Sequence, residues 1–216
     1  MSFSNLKNVM ESLMDDEKYA DMTISCQGHD FKCHRAIICS QSPFFEAALT
    51  DGFKETSLSR VDLPCDDVDT IARVLSFCYL QDYSQPDDSA NLALEEIFRN
   101  HLAVYLAADK FSMIPLRELA SSRIVDWAKS NWSLRCFPDT VQDIWCDTPP
   151  HENKLHDAMA EIVSSNIQHF LSQGNGKKVF SENPKFSIAV IEKLSLDNKR
   201  LKEENKNLVE QSKTDI

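Results

Sequence analysis

The first sixteen residues carry apolar side chains at intervals of three and four positions, the spacing that places them on one face of a helix. The segment ends at Asp15 and Asp16, and its apolar positions are Leu6, Val9, Met10, Leu13 and Met14. A helix this short is marginal in isolation. We therefore expect another surface to cover its apolar stripe.

Strand signals come directly after this helix. Met22, Ile24 and Cys26 alternate with polar residues, and the turn-forming stretch 27–30 separates them from a second short run at 31–33. This arrangement predicts a β-hairpin. A third short strand is predicted at 60–64, where Val61 and Leu63 precede Pro64.

Most of the remaining chain has helical periodicity. Ser42 and Pro43 suit the start of one helix, and Asp66 or Asp67 can cap another that ends near Leu80. The polar stretch 82–90 indicates a surface loop, and amphipathic helices continue from there until the glycines at 174–176. The sequence therefore predicts an α+β domain followed by a helical annex.

The charge and composition narrow the class of partner. The chain has 216 residues, 42% of them hydrophobic, and a formal net charge of −11. An acidic protein is repelled by nucleic-acid phosphates and by anionic membranes, so neither is expected as a partner. No run approaches the roughly 20 apolar residues that a membrane span needs. Proteins are therefore the expected partners.

Cysteine usage and the N-terminus indicate the compartment. The seven cysteines form no paired framework, which suits a reducing environment. The N-terminal residues also lack the basic start, apolar run and cleavage site of a secretory signal. We expect a cytoplasmic or nuclear protein.

The residues from Tyr19 to Leu80 resemble the BTB/POZ family. The resemblance is carried by YADMTISCQGHDFKCHRAIICSQSPFF, then EAALTDGFKE, VDLP and a helix ending FCYL, with HLAVYLAADKFSMIPLRELA similar to the closing helical pair. It covers about residues 5 to 130. It implies a few strands surrounded by helices, no catalytic chemistry, and homodimerisation. We assign Leu6, Val9, Met10 and Leu13 to that dimer interface.

Two charged residues match the charged pair that the family places near its dimer interface. They are Asp21, at the head of the first strand, and Arg35, next to His34. A carboxylate and a guanidinium can form paired hydrogen bonds, and removing either from a desolvated site leaves the other uncompensated. The alternative is that the pair only stabilises the fold. His34 is interpreted as a core or turn histidine.

Phe53-Lys54-Glu55 matches the hydrophobic-x-Glu motif with which some BTB adaptors bind a cullin scaffold. Phe53 would enter an apolar pocket of the scaffold while Glu55 meets a donor at its rim. The helices after the domain resemble the place where such adaptors add scaffold contacts. The alternative is that these are ordinary loop residues at the domain edge.

The residue types for metal binding and thiol chemistry cluster at Cys26, His29, Cys33, His34 and Cys39. Adjacent residues on a strand point to opposite faces, and neither a C-x2-C nor an H-x3-H spacing occurs. A Cys-His nucleophile would also need an oxyanion turn, which the sequence lacks. We therefore predict no enzyme activity, no metal and no cofactor.

The C-terminal residues have a heptad pattern. It places Asp197 at position g, Lys202 at the following e, Ile191, Asn198 and Asn205 at a, and Leu194, Leu201 and Leu208 at d. Asparagine at a favours two parallel strands in register at a cost in stability. The sequence predicts a short coiled coil, and the alternative is a solvated helical tail.

These observations give four segments: a BTB/POZ domain at 1–130, a helical annex at 131–175, a linker at 176–190 and a short coiled coil at 191–211. The predicted function is a non-enzymatic, self-associating adaptor that links an unknown substrate protein to a cullin-RING ubiquitin ligase. The alternative function is a dimeric scaffold with no link to ubiquitination.

Overall fold

The computed structural model describes residues 3–50, 59–83, 93–149 and 153–214. The chain divides into an N-terminal unit, Met1–Arg123, and a C-terminal unit, Ile124–Ile216. No helix in the described ranges is long and apolar enough to span a bilayer.

The N-terminal unit contains three strands and surrounding helices in its described residues. In chain order they are α1 Phe3–Asp15, β1 Met22–Cys26, β2 His29–Cys33, α2 Arg35–Cys39, α3 Pro43–Thr50, β3 Arg60–Asp62, α4 Val68–Leu80, α5 Leu94–Lys110 and α6 Ile114–Asn131, the last of which contains the unit boundary. The predicted hairpin and third strand are confirmed.

The sheet has the order β2-β1-β3, with β1 antiparallel to β2 and parallel to β3. Gln27 and Gly28 turn the hairpin with φ values of 48° and 86°, the left-handed conformation that a two-residue turn needs. Ile24 at the centre of β1 is fully buried, next to Phe31 on one side and Val61 on the other. The alternating pattern of β1 therefore directs its apolar face into the core.

A charged cluster joins the three strands on their polar side. Arg60 of β3 binds both carboxylate oxygens of Asp30 on β2, and it also donates to Asp62 and to Ser25 on β1. These hydrogen bonds from Arg60 lower the pKa of the Asp30 carboxyl. The cluster is exposed, so its contribution to stability is small.

Capping fixes the helices that cover the sheet. Asp67 accepts a 2.8 Å hydrogen bond from the main-chain N–H of Thr70 at the start of α4, as the sequence predicted. Ser42 accepts from the N–H of Phe45 and donates to the carbonyl of Phe111. The rings of Phe45 and Phe111 pack with centroids 5.0 Å apart and planes inclined by 37° in the core, where each contributes about 1.5 to 3 kcal/mol by burial.

The described residues of the C-terminal unit form helices joined by short turns. After α6 it contains α7 Phe137–Asp147, α8 Asn153–Ser165, α9 Ile167–Ser172, α10 Gly176–Glu182 and α11 Pro184–Thr214. Asn166, with a φ of −123°, separates α8 from α9. Helix α11 packs on α8.

The segment 176–190 is not an irregular linker. It forms α10 and the first two turns of α11, and Val179, Phe186 and Val190 are fully buried. The polar and lysine-rich composition of this segment predicts a linker and gives no signal that these three apolar side chains are buried. Pro184 occupies the first position of α11, where a missing N–H costs nothing. The C-terminal helix therefore begins seven residues before the predicted heptads.

Candidate interaction surfaces

The apolar stripe of α1 is only half covered by its own chain. Helix α1 packs on α4, and Met14 lines a cavity together with Leu75 and Tyr79 of that helix. At the other end of the stripe, Leu6 and Val9 are 60% and 50% exposed. Met10 and Leu13, between the two ends, are half-buried. The structure thus leaves an open apolar surface on the residues predicted to form a dimer interface.

The connector between α1 and β1 is held by a buried histidine. Nε2 of His34 lies 2.6 Å from the carbonyl oxygen of Lys18, and its Nδ1 lies 2.7 Å from the Tyr79 hydroxyl. The main-chain N–H of His34 donates to the same hydroxyl at 3.0 Å. The Lys18 carbonyl oxygen can only accept, so Nε2 donates to it, and the Tyr79 hydroxyl, whose pKa burial raises to about 12, can donate to Nδ1.

This histidine contact acts on a strained segment. Glu17 and Tyr19, on either side of Lys18, have φ values of 51° and 66°. Such values cost energy in residues other than glycine and persist only where surrounding contacts enforce them. The bond from His34 to Lys18 is one such contact. It confirms that His34 is a core residue with satisfied hydrogen bonds, and it fixes the point where α1 leaves the domain.

Asp21 and Arg35 do not bind each other through their side chains. Oδ1 of Asp21 accepts a 2.7 Å hydrogen bond from the main-chain N–H of Arg35, at the start of α2. The Arg35 guanidinium instead donates to the carbonyl of Leu49, near the end of α3. The expected pairing of carboxylate and guanidinium is therefore wrong within one copy of the chain. Their place in a dimer interface stays a prediction.

Phe53 and Glu55, predicted to bind a partner, lie outside the described residues. Helix α3 ends at Thr50, shortly before them. Their role also stays a prediction.

The C-terminal unit has a groove between the end of α6 and α8. Its volume is about 310 Å³, and its lining includes Val125, Lys129, Trp132, Ala158, Glu161 and Ile162. Trp132 is half-buried and packs edge-to-face on His169 with ring centroids 5.3 Å apart. Its part-exposed ring forms one wall of the groove.

The heptad residues lie along α11. Leu194 is half-buried, and Ile191, Leu201 and Leu208 are between 51% and 62% exposed. Asn198 and Asn205 are exposed, and the Asn198 amide donates to the carbonyl of Leu194. The predicted helix is confirmed, and its pairing stays a prediction.

In the described part of the chain, Cys26 and Cys33 are buried and Cys39 is half-buried. No group of three or more potential metal-ligating residues occurs there. Burial raises the pKa of the thiols of Cys33 and Cys78 to about 12, and it also raises the pKa of Cys39. A protonated thiol is a poor nucleophile. These cysteines therefore act as small apolar side chains.

Known proteins resemble parts of this chain. Protein bric-a-brac 2 of Drosophila melanogaster is 42% identical over 48 residues, which are 22% of this chain and 4% of that protein. Kelch-like protein 38 of Homo sapiens is 25% identical over 150 residues, which are 64% of this chain and 26% of that protein. The chain thus spans about a quarter or less of the length of these relatives.

A solved structure, the BTB domain of human gigaxonin, aligns with 56% of this chain and 92% of its own, at 15% identity and a TM-score of 0.42. The family model of the BTB/POZ domain matches residues 10–125, more than half of the chain. The matched region contains the three-stranded sheet and its surrounding helices, so the predicted α+β fold is confirmed. The chain belongs to the BTB/POZ domain family.

Proposed function

We propose that this protein is a non-enzymatic adaptor of the cytoplasm or nucleus that self-associates through α1 and links a substrate protein to a cullin-RING ubiquitin ligase. The observation that carries self-association is the open apolar face of α1, on which Leu6 is 60% exposed and Val9 is 50% exposed. BTB domains are interaction modules, and the chain belongs to that family.

The arrangement of α1 favours a second copy as the partner. A short helix contributes little stability of its own, and α1 is already docked on α4 by the residues nearest its end. In a two-fold interface, each exposed apolar residue is buried twice. Fully burying an exposed Leu or Val side chain contributes about 1.5 to 3 kcal/mol, and Leu6 and Val9 are only 60% and 50% exposed, so each of the four side chains in a dimer contributes on the order of half that amount.

We expect Leu6→Glu and Val9→Glu, each introduced singly, to weaken the homodimer at least about tenfold, because each places two desolvated carboxylates in the interface. Light scattering of the full chain over a concentration series measures the change. Asn8→Glu is the matched control: it adds the same charge at an exposed position of the same helix and should leave the dimer intact.

Two outcomes would contradict this prediction. A wild-type protein that remains monomeric at a concentration of about 10 µM would contradict self-association. A dimer that tolerates both glutamates would place the interface elsewhere.

The cullin link rests on Phe53 and Glu55 and on the helices C-terminal to the BTB domain. In the sequence the motif follows the end of α3 at Thr50. The helices after the domain stand at the place in the chain where the family resemblance implies further scaffold contacts. The groove beside Trp132 lies on them. Kelch-like proteins are among the relatives that match the chain in part.

We expect Phe53→Ala and Glu55→Ala to weaken binding of the cullin N-terminal region by about 2 kcal/mol or more, which is over tenfold, because truncating an anchor residue leaves its pocket unfilled. Titration calorimetry against the full-length chain measures the affinity, and a melting curve for each variant checks folding. Lys54→Ala is the control, since the motif leaves that position unspecified.

Failure of the wild type to bind cullin, with the dimer intact, would favour the alternative function of a scaffold unconnected to ubiquitination. If all three variants bind the cullin with equal affinity, the motif is not the binding site, although the link to the ligase still holds. Affinity purification followed by mass spectrometry would then identify the protein partners directly.

A further inference from the structure

Helix α11 consists of two parts with different surroundings. Near its start, Phe186 and Val190 are fully buried, where the helix packs on α8. From Asn198 onwards, every side chain that the structure describes is exposed. The second part is therefore a long helical extension whose surface is available to a partner.

Exposed leucines form one line along this extension. Leu201 and Leu208 are 51% and 62% exposed and lie seven residues apart, and Asn198 and Asn205 lie beside them at the same spacing. A repeat of seven keeps these side chains on one seam of the helix. Ile191, 62% exposed, and half-buried Leu194 continue the seam toward the packed part.

We propose that a second copy of this chain covers the seam, forming a parallel, in-register two-stranded coiled coil along residues 191–211. In this arrangement Asn198 and Asn205 each face their own equivalent, and the two amides satisfy each other. An antiparallel pair would set these amides against leucines and leave their hydrogen bonds unmade. The asparagines thus select both the orientation and the register.

Charge complementarity supports the same arrangement. Asp197 at position g of one helix faces Lys202 at the following e position of the other, and two-fold symmetry makes this pair twice. Asp197 lies 3.3 Å from Arg200 on its own helix, but its side chain is 44% exposed and accessible to a second partner. Ion pairs from Arg200 to Glu204 and from Lys206 to Glu210 meanwhile stabilise the single helix.

This coiled coil rests on the proposed self-association of the N-terminal unit. Because asparagine occupies two of the three a positions, two such helices form only a weak coiled coil when nothing else connects them. Covalent connection to a dimeric domain raises the effective concentration of the tails above that of free chains. The tails therefore pair only after the domains associate, and they add stability to the same dimer.

Disulfide trapping in the full-length chain tests this geometry. Equivalent a positions face each other in a parallel pair, so Asn205→Cys should form a disulfide-linked dimer under mild oxidation, at least about tenfold above the wild-type background. The wild type is the necessary reference because Cys65 and Cys146 are exposed. Glu203→Cys, at the outward f position, should remain at background.

A second pair of variants tests the seam itself. In the Asn205→Cys background, Leu201→Glu should abolish the cross-link. Leu196→Glu should preserve it, because Leu196 is 65% exposed at an f position of the same helix. Both substitutions replace an exposed leucine with the same charge, so only their position differs.

The outcomes separate the coiled coil from self-association. A dimer by light scattering that shows no Asn205→Cys cross-link overturns the coiled coil and leaves the N-terminal dimer in place. Equal cross-linking by Glu203→Cys overturns the register. A monomeric wild type overturns both proposals.

Discussion

Replacing Gly176 with alanine is expected to destabilise the C-terminal unit by about 3 kcal/mol, because a methyl group there overpacks a filled space. A Cβ built at this position would overlap the carbonyl oxygen of Phe170 and lie 2.9 Å from its carbonyl carbon. Both neighbours belong to the main chain, so relief requires moving α10 away from α9. The Phe170 ring, itself buried, would have to move with it.

Gly174 provides the matched control for this substitution. No atom lies within 4 Å of a Cβ built on Gly174, so alanine there should change stability by less than about 1 kcal/mol. All three tryptophans of the chain lie at or after residue 127, so urea unfolding followed by tryptophan fluorescence reports on the C-terminal unit. Equal midpoints for the two variants would contradict the close approach of Gly176 to the main chain of Phe170.

Local signals account for much of the N-terminal unit. The hairpin turn at Gln27-Gly28 and the caps at Ser42 and Asp67 depend on residues within a few positions of one another. Such patterns are visible in a sequence because their chemistry is complete within one short segment. The order of strands and helices can therefore be predicted without any tertiary contact.

The C-terminal unit shows where local signals become ambiguous. The sequence Gly174-Asn175-Gly176 has the composition of a helix stop, which predicts that the annex ends there. Gly176 is instead required by the close approach of Phe170. A glycine chosen for packing cannot be distinguished from one chosen for a turn until the neighbouring element is in place.

The sequence predicts the interaction surfaces only in part. The apolar stripe on α1 is predictable because helical periodicity is a local pattern. Which half of the stripe is exposed depends on the packing of α1 on α4, a tertiary contact. Within one copy, Asp21 and Arg35 bind main-chain groups, because a carboxylate accepts from main-chain N–H groups, and a guanidinium donates to main-chain carbonyls, as readily as they bind each other. The role of Tyr79 gave no sequence signal, since it lies 45 residues from His34.

The hydrogen bonds between Tyr79 and His34 are expected to contribute strongly to the stability of the N-terminal unit. Tyr79→Phe should destabilise the N-terminal unit by about 2 to 3 kcal/mol, because it removes one hydroxyl and leaves two buried groups of His34 without a partner. These groups are the main-chain N–H, 3.0 Å from the hydroxyl, and Nδ1, 2.7 Å from it. The aromatic ring is retained, so the loss cannot be attributed to a cavity.

Thermal unfolding followed by circular dichroism measures this loss, and the expected decrease in melting temperature is about 10 °C. Tyr19→Phe is the control, because Tyr19 is 76% exposed and its substitution should change stability by less than about 0.5 kcal/mol. Indistinguishable melting temperatures for Tyr79→Phe and the wild type would refute a stabilising role for the Tyr79 hydroxyl.

The pH dependence of stability gives an independent readout of the same hydroxyl. Burial raises the pKa of Tyr79 from 10.0 to about 12 in the folded protein, so the folded state retains this proton more strongly than the unfolded state. The associated stability is present below pH 10 and is lost as the pH rises toward 12. Phenylalanine has no proton to lose. The difference in stability between wild type and Tyr79→Phe should therefore shrink over this pH interval, and a constant difference would show that the phenol does not titrate as a buried donor to His34.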